Sequence, residues 1–364
     1  MAWPKREETV VLTVGGRDFR DWESVSVKHA MRDMPPYLCR FTCSEGVPIA
    51  KNFGVMQIKP GMDCTVTLAG ILAFTGKVMT RQVYYDATRH HIEIQAGTFD
   101  ELNTSSVISK TMEWKDKTFE QIGNEILKNF GYTMKFEGGG PPDHKFPRAS
   151  AMHGEAVQDF LDRLSRSLKT DSGTAIKFTS NPNGEYVVVV GPGTGSDSVT
   201  EGKDIIIGRE IIYNPAAASA KPAIAQGPSS DKQFGAKNYS APFNQQTMQS
   251  LAGGKFPPGV IVGEIPTADK QVLGNRASTD GKWQGEDQIT VNATVYGWLR
   301  PSGGLWQRNQ KVIVNSPMLM MHGDELEAKS VVFTQDNKTG TRTTLELCNA
   351  QALAKNNPPI AGSK

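Results

Sequence analysis

The stretch from Ile289 to Leu347 does most to limit what this chain can become. Ile289, Val291, Ala293 and Val295 alternate with Thr290, Asn292, Thr294 and Tyr296, the period of two that a half-buried strand requires. Pro301-Ser302-Gly303-Gly304 is turn chemistry, and Trp306 follows it. Lys311 to Val314 reads as a second short strand, closed by Pro317. Leu326 to Thr334 and Thr341 to Leu347 flank Asp336-Asn337-Lys338-Thr339-Gly340, a hairpin with a five-residue loop. Short strands broken by turns point to a barrel or sandwich module, where function usually means assembly or binding.

The same grammar opens the chain. Glu8 to Val14 ends in the tight turn Gly15-Gly16, and Ser24 to His29, Leu38 to Thr42, Cys64 to Leu68, Leu72 to Val83 and His90 to Gln95 follow as strands. These make a first β-barrel domain over residues 1–107. Residues 108–172 form a small α/β domain with two helices. There Thr118-Phe119-Glu120-Gln121 is a capping box, Phe119, Ile122, Ile126, Leu127 and Phe130 share one helical face, and Gly131 stops the helix. The strand Thr133 to Phe136 precedes a second helix, Glu155 to Leu168, with Val157, Phe160, Leu161, Leu164 and Leu168 inward and the pair Asp162/Arg166 at i,i+4 on its wet face. Strands return at Ala175 to Thr179, Tyr186 to Val190 and Ile205 to Tyr213. Residues 173–213 and 289–350 together give a discontinuous second barrel. Residues 214–288 are an inserted loop-rich segment: Ala216 to Ser230 has no periodicity, and Gly259 to Ile265 is its only strand candidate. Residues 351–364 read as a flexible tail. The fold class expected is mainly β with α+β: two small β-barrel domains around a small α/β domain, plus the insertion.

Composition bounds the function classes. The 364 residues suit two to three domains, and 38% apolar with 21% charged residues is too apolar for a disordered chain. A net charge of +2 without any Lys/Arg run argues against a protein that holds nucleic acid through its phosphates. The N-terminal Met1-Ala2-Trp3-Pro4-Lys5-Arg6 lacks the apolar core of a signal peptide, and no window approaches the ~18–20 apolar residues of a spanning helix, so cytoplasmic synthesis without membrane insertion is expected. Cys39, Cys43, Cys64 and Cys348 do not make a disulfide framework at this length.

No catalytic constellation emerges. Gly191-Pro192-Gly193-Thr194-Gly195 follows a strand, but Ser196 stands where a dinucleotide fingerprint needs its third glycine, and Pro192 removes an amide; a turn is the better reading. Cys39 and Cys43 lie roughly 13 Å apart along a strand, too far to share a zinc, and adjacent His90 and His91 point to opposite faces. A Cys39/His90 nucleophile pair stays open, disfavoured because Cys39 sits inside a strand rather than at a helix N-terminus. Asp159 and Asp162 fit a solvated helix face better than a hydrolase cleft. The segment Thr111 to Phe136 superficially resembles a LysM repeat, a peptidoglycan-binding unit, but a small packing domain is the better reading. Trp298 and Trp306 flank a turn and suit either interface anchors or core residues. No catalytic, cofactor-binding or metal site is expected, and no enzyme.

The order of motifs carries a resemblance. Val295-Tyr296-Gly297-Trp298, Gly304-Leu305-Trp306, Asn315-Ser316-Pro317 and the hairpin with Thr339-Gly340-Thr341 resemble the end of the baseplate hub proteins of contractile-tailed, Mu-like bacteriophages. Trp22 to Val27, Pro60-Gly61 to Val66, Thr75-Gly76-Lys77-Val78 and His91 to Ile94 are similar to the family's early strands, and Gly154-Glu155 with Phe160-Leu161-Asp162-Arg163-Leu164 to its helix. The resemblance implies a structural virion protein, a homotrimeric hub whose six similar barrels join the six-fold tail tube to the three-fold central spike around a channel for DNA. Partners would be the tail tube protein, the central spike protein and other baseplate proteins, with DNA only in transit. Localisation would be the tail baseplate, assembled in the host cytoplasm. The alternatives are a peptidoglycan-binding or -cleaving tail protein and the hub of a phage-derived contractile injection system.

Overall fold

The computed structural model describes residues 8–31, 35–44, 58–86, 90–99, 102, 105–107, 112–170, 175–212, 223–224, 261–263, 270–286 and 289–349. Seven strands open the chain: β1 (Val10–Val14), β2 (Arg17–Phe19), β3 (Ser24–Ala30), β4 (Tyr37–Ser44), β5 (Asp63–Leu68), β6 (Ile71–Tyr85) and β7 (His90–Gly97). Gly15 and Gly16 both take positive φ, +56° and +76°, so Val14 pairs directly with Arg17 across a two-residue turn whose twist matches the strands. β2 is short and exposed, and the sequence pattern does not announce it.

The middle of the chain holds α1 (Phe119–Leu127), β8 (Met134–Glu137), α2 (Val157–Ser165), β9 (Lys177–Ser180) and β10 (Tyr186–Val189). The capping box forms as expected: Gln121 N donates to Thr118 Oγ1 at 3.3 Å, and Thr118 N donates to Gln121 Oε1 at 3.0 Å. The helix tightens through Lys128–Phe130 and stops at Gly131, φ +81°. Thr118→Ala removes one of these two bonds and is expected to cost about 1 kcal/mol, seen as a lower urea midpoint; an unchanged midpoint would contradict the cap's role. β10 lies between β8 (parallel) and β9 (antiparallel), and the apolar faces of both helices share one core with this small sheet.

Five further long elements complete the strand-rich part, after β11 (Ser196–Thr200) and β12 (Ile205–Ile212): α3 (Lys270–Glu286), β13 (Ile289–Tyr296), β14 (Lys311–Ser316), β15 (Met321–Asp336) and β16 (Gly340–Cys348). β15 and β16 run right up to Asp336 and Gly340, so the loop is three residues rather than five; Asp336 Oδ1 accepts from the amides of Lys338 and Thr339, and Gly340 supplies φ +73°. The segment 214–288 contains α3, which corrects the reading of it as loop-rich throughout. Its strand candidate survives as Ile261–Val262, paired with Ala223–Ile224. Most of Ala216 to Ser230 and all of 351–364 lie outside the described residues.

The expectation of two separate small barrels needs correction. Among the described residues thirteen strands form one continuous sheet in the order β12-β13-β16-β15-β3-β4-β7-β6-β5-β1-β2, with β14 on β15 and β11 on β14, and no closed barrel is found. The physical cause is β15. At 16 residues it outruns its neighbour β14, which pairs only as far as Glu327, and β3 occupies the remaining edge from Ser330 to Asp336.

The two strand blocks repeat one another in topology and register. The order β3-β4-β7-β6-β5 matches β12-β13-β16-β15-β14. Lys77 pairs with Asp63 and Gly97 as Glu327 pairs with Lys311 and Cys348. Even the irregularities coincide: a register shift at Val78/Thr80 answers one at Ala328/Ser330, and one at Val66/Thr67 answers one at Val314/Asn315. The outer strands differ, since β1 is antiparallel to β5 and β11 is parallel to β14.

Candidate functional site, the junctions between blocks

The junction of the two strand blocks is a backbone ladder with a buried face. Phe333 of β15 opposes Val27 of β3, and both are fully buried. His29 stacks on Tyr37 with ring centroids 3.9 Å apart and meets the edge of Phe333 at 5.4 Å. Burial holds the His29 imidazole neutral, lowering its pKa to about 3, and the nearby Arg308 charge adds to this. The unfolded chain takes up a proton here near pH 6.5 that the folded chain refuses until about pH 3. The His29 contribution is therefore complete above pH 6.5 and declines as the pH falls, by at most about 1.4 kcal/mol per pH unit. Urea midpoints measured from pH 7 to 5.5 should fall more steeply for the natural chain than for His29→Phe; equal slopes would contradict this.

The α/β block is locked onto the same junction by charge. Arg308 donates to Glu137 at 2.9 and 3.3 Å and to the Ser180 carbonyl at 2.8 and 3.1 Å. Thr179 Oγ1 donates to the Ala30 carbonyl at 2.8 Å. Lys177 Nζ lies 3.1 Å from carboxylate oxygens of both Glu286 on α3 and Glu327 on β15, all three side chains buried. Burial alone would lower the Lys177 pKa, but the two carboxylates overcome this and drive it well above the ordinary lysine value; burial pushes Glu327 up. The glycine run after β10 serves close approach here. A Cβ on Gly193 would stand 1.1 Å from the Asn309 carbonyl oxygen, and one on Gly191 would stand 2.1 Å from that of Gly138.

The residues singled out from the sequence fall as follows. Trp298 and Trp306 are 0% and 2% exposed, inside the chain, and Trp298 Nε1 donates to the Thr334 carbonyl at 3.3 Å. The turn between them is held by Asp197, which accepts from Ser302 N, Ser302 Oγ and Gln310 Nε2 at 3.1, 2.9 and 2.7 Å. Cys39 and Cys43 are buried on β4 with free thiols, and burial raises the Cys39 pKa well above normal. The Cys39/His90 pair does not form. Cys39 opposes Ala96, six residues along β7 from His90, which is about 20 Å. The His90 side chain lies outside the described residues. Asp162 pairs with Arg166 as the i,i+4 spacing implies, and Asp159 is exposed. Glu155 meets Arg163 at 2.7 Å. Among the described residues no group of three or more His, Cys, Asp or Glu is placed to hold a metal, and no helix is long and apolar enough to cross a membrane.

What sequence reasoning missed are two strand edges. β12 carries exposed Ile207 and Ile212, and β6 beyond Val78 carries exposed Val83, Tyr84 and Tyr85. Both read from the sequence simply as strands. Only the pairing shows that β12 ends the sheet and that β5 stops short of the distal half of β6.

Comparison with known proteins agrees with this architecture. Residues 9–97 match the family model of the N-terminal domain of Mu phage baseplate assembly protein GpP-like. Baseplate hub protein gp44 of Escherichia phage Mu is 24% identical over 346 residues, 93% of this chain and 87% of that protein. The 43 kDa tail protein of prophage MuSo2 from Shewanella oneidensis superposes with a TM-score of 0.74 at 21% identity, covering 95% of this chain and 99% of that one. The tail protein from Neisseria meningitidis MC58 gives 0.71 at 15% identity, covering 94% and 97%. At these identities the solved structures establish the shared fold. Its first strand block thus matches the model of the Mu GpP-like N-terminal domain, and over nearly its whole length the chain is similar to the baseplate hub protein of phage Mu.

Proposed function

We propose that this chain is the trimeric hub of a contractile-tail baseplate, joining a six-fold tail tube to a three-fold central spike around a channel through which DNA passes. The observation that carries the reading is the internal repeat: one chain presents the same five-strand order twice, with the same register shifts. Three copies then offer six similar blocks to a six-fold partner while keeping three-fold symmetry toward the spike. The kinship with the Mu hub protein supports the same role. Tail tube, spike and neighbouring baseplate proteins are the partners, and the virion tail is the place of action.

The work is geometric and involves no bond chemistry. Burial of the Cys39 thiol and its distance from His90 along the ladder favour this over a cell-wall hydrolase. Negative-stain averaging of the purified chain tests the proposal. A ring with a central hole and six density lobes is expected, together with no turnover or retention of purified peptidoglycan. Compact particles without a hole, or turnover of peptidoglycan, would overturn it.

A further inference from the structure

The internal repeat contains a junction that is made once and left open once. Within the chain, β3 fills the edge of β15 from Ser330 to Asp336. The repeat places β12 where β3 stands, since β12 flanks β13 as β3 flanks β4. It likewise places the distal half of β6 where the distal half of β15 stands. Among the described residues no strand pairs with the outer edge of β12, nor with β6 from Met79 to Tyr84 on the side away from β7. The matched positions differ in exposure as a missing partner requires. Phe333 is fully buried, whereas its counterpart Val83 is 48% exposed; buried His29 corresponds to Ile212, also 48% exposed.

We infer that the vacant edge of β12 takes the distal half of β6 from a second copy of this chain, antiparallel and in the register of the in-chain junction, so that copies join head to tail. This deepens the ring assembly proposed above and rests on it. Head-to-tail contacts of this kind use two different patches and close into rings where the rotation between copies closes, and a continued ladder resolves the aggregation hazard of an open, apolar edge.

The register follows from the repeat. Phe333 opposite Val27, Thr334 opposite Ser26 and Val331 opposite His29 translate into Val83 opposite Glu210, Tyr84 opposite Arg209 and Arg81 opposite Ile212. The side chains suit those places. Tyr84 meets the Arg209 guanidinium, a cation–π pair. Arg81 lies diagonal to Glu210, within reach of a long side chain. Glu210 Oε1 is buried without a hydrogen-bond partner among the described residues, and Asp324 beside it makes the rim acidic. Arg81 has no ion pair among the described residues. Tyr85 falls opposite Gly208, where the Leu319 side chain lies against the glycine.

Paired cysteines test the register. The native cysteines are all buried, so background coupling is low. The double variants Val83→Cys/Glu210→Cys and Tyr84→Cys/Arg209→Cys are oxidised and run without reductant, alongside Gln82→Cys/Ile207→Cys, which the register separates by four residues, about 13 Å. At least one in-register pair is expected to yield disulfide-linked dimers and higher species, and the control is not. In parallel, Arg81→Glu should raise the concentration for half-assembly about tenfold or more, and adding Glu210→Lys should restore it. Circular dichroism confirms that each variant is folded; these positions are exposed except for half-buried Glu210, and the two in-register pairs are independent. If the natural chain assembles by light scattering but neither in-register pair couples and Arg81→Glu assembles normally, the edge assignment is wrong and the ring reading stands. If the natural chain stays monomeric at about 100 μM, with tail tube or spike protein added as well as without, and nothing couples, the ring reading fails and takes the edge assignment with it.

Discussion

Replacing Lys177 with Met is expected to destabilise the chain by about 3–5 kcal/mol. The ammonium sits between Glu286 and Glu327 at 3.1 Å from each, with all three side chains at 4–6% exposure. Removing the ammonium that bridges them leaves two buried carboxylates with little water to screen them. The loss is therefore the cost of stranding buried charge, not the modest net worth of the triad. The same argument predicts rescue. Lys177→Met combined with Glu286→Gln and Glu327→Gln should recover most of the stability, because an uncharged cluster of the same volume carries no such penalty. The reach of the cluster makes the effect global: it ties α3 to β9 and β15, so its failure loosens all three at once. Urea unfolding of the single and triple variants reads both effects. A single variant within 1 kcal/mol of the natural chain would show that the triad is more hydrated than its burial implies.

Trp298→Ala is expected to cost a similar amount, about 3–5 kcal/mol, by a different mechanism. The indole is fully buried, and Gly297, φ +75°, turns the chain so that it can enter the core. Its Nε1 bonds the Thr334 carbonyl on the distal half of β15, the half that β3 pairs. Truncation removes the largest buried side chain of the strand blocks and leaves a cavity that rigid sheet neighbours close only partly. Trp298→Phe keeps much of the volume and loses the hydrogen bond, so a smaller loss is expected. Equal losses for both would mean that the hydrogen bond, rather than packing, dominates. A loss for Trp298→Ala below 1 kcal/mol would contradict the burial argument.

The parts of the fold that the sequence made legible are those where one local rule decides. Alternation exposed β13, the Thr118 capping box exposed α1, and Gly15-Gly16 exposed a turn. The rest depends on what lies across space. α3 carries three glycines (Gly274, Gly281 and Gly285) and no apolar stripe, so nothing in its own pattern predicts a helix. It is held from outside by Lys177 on Glu286, by Asn275 on the Ser167 carbonyl at 3.2 Å, and by Leu273 and Ala277 packed with Ala223 and Ile261. β11 is as obscure, because its inward Asp197 is a polar residue buried to receive a turn that lies more than a hundred residues away. The repeat itself leaves almost no trace in residue types. Lys77 corresponds to Glu327 and Arg81 to Val331; what repeats is backbone register, including the bulges. For the same reason Ile205 to Tyr213 reads only as a strand, and the strand order reveals an edge. Trp298 and Trp306 were visible as large aromatics, but the choice between interface and core needed their burial.

The measurement that bears most directly on the account is the mass of the purified chain in solution by light scattering, taken across a concentration series. The account predicts a species of about 119 kDa, three times the 39.7 kDa chain, persisting to low micromolar concentration. A mass of about 39.7 kDa throughout the series, unchanged when tail tube or spike protein is added, would contradict it.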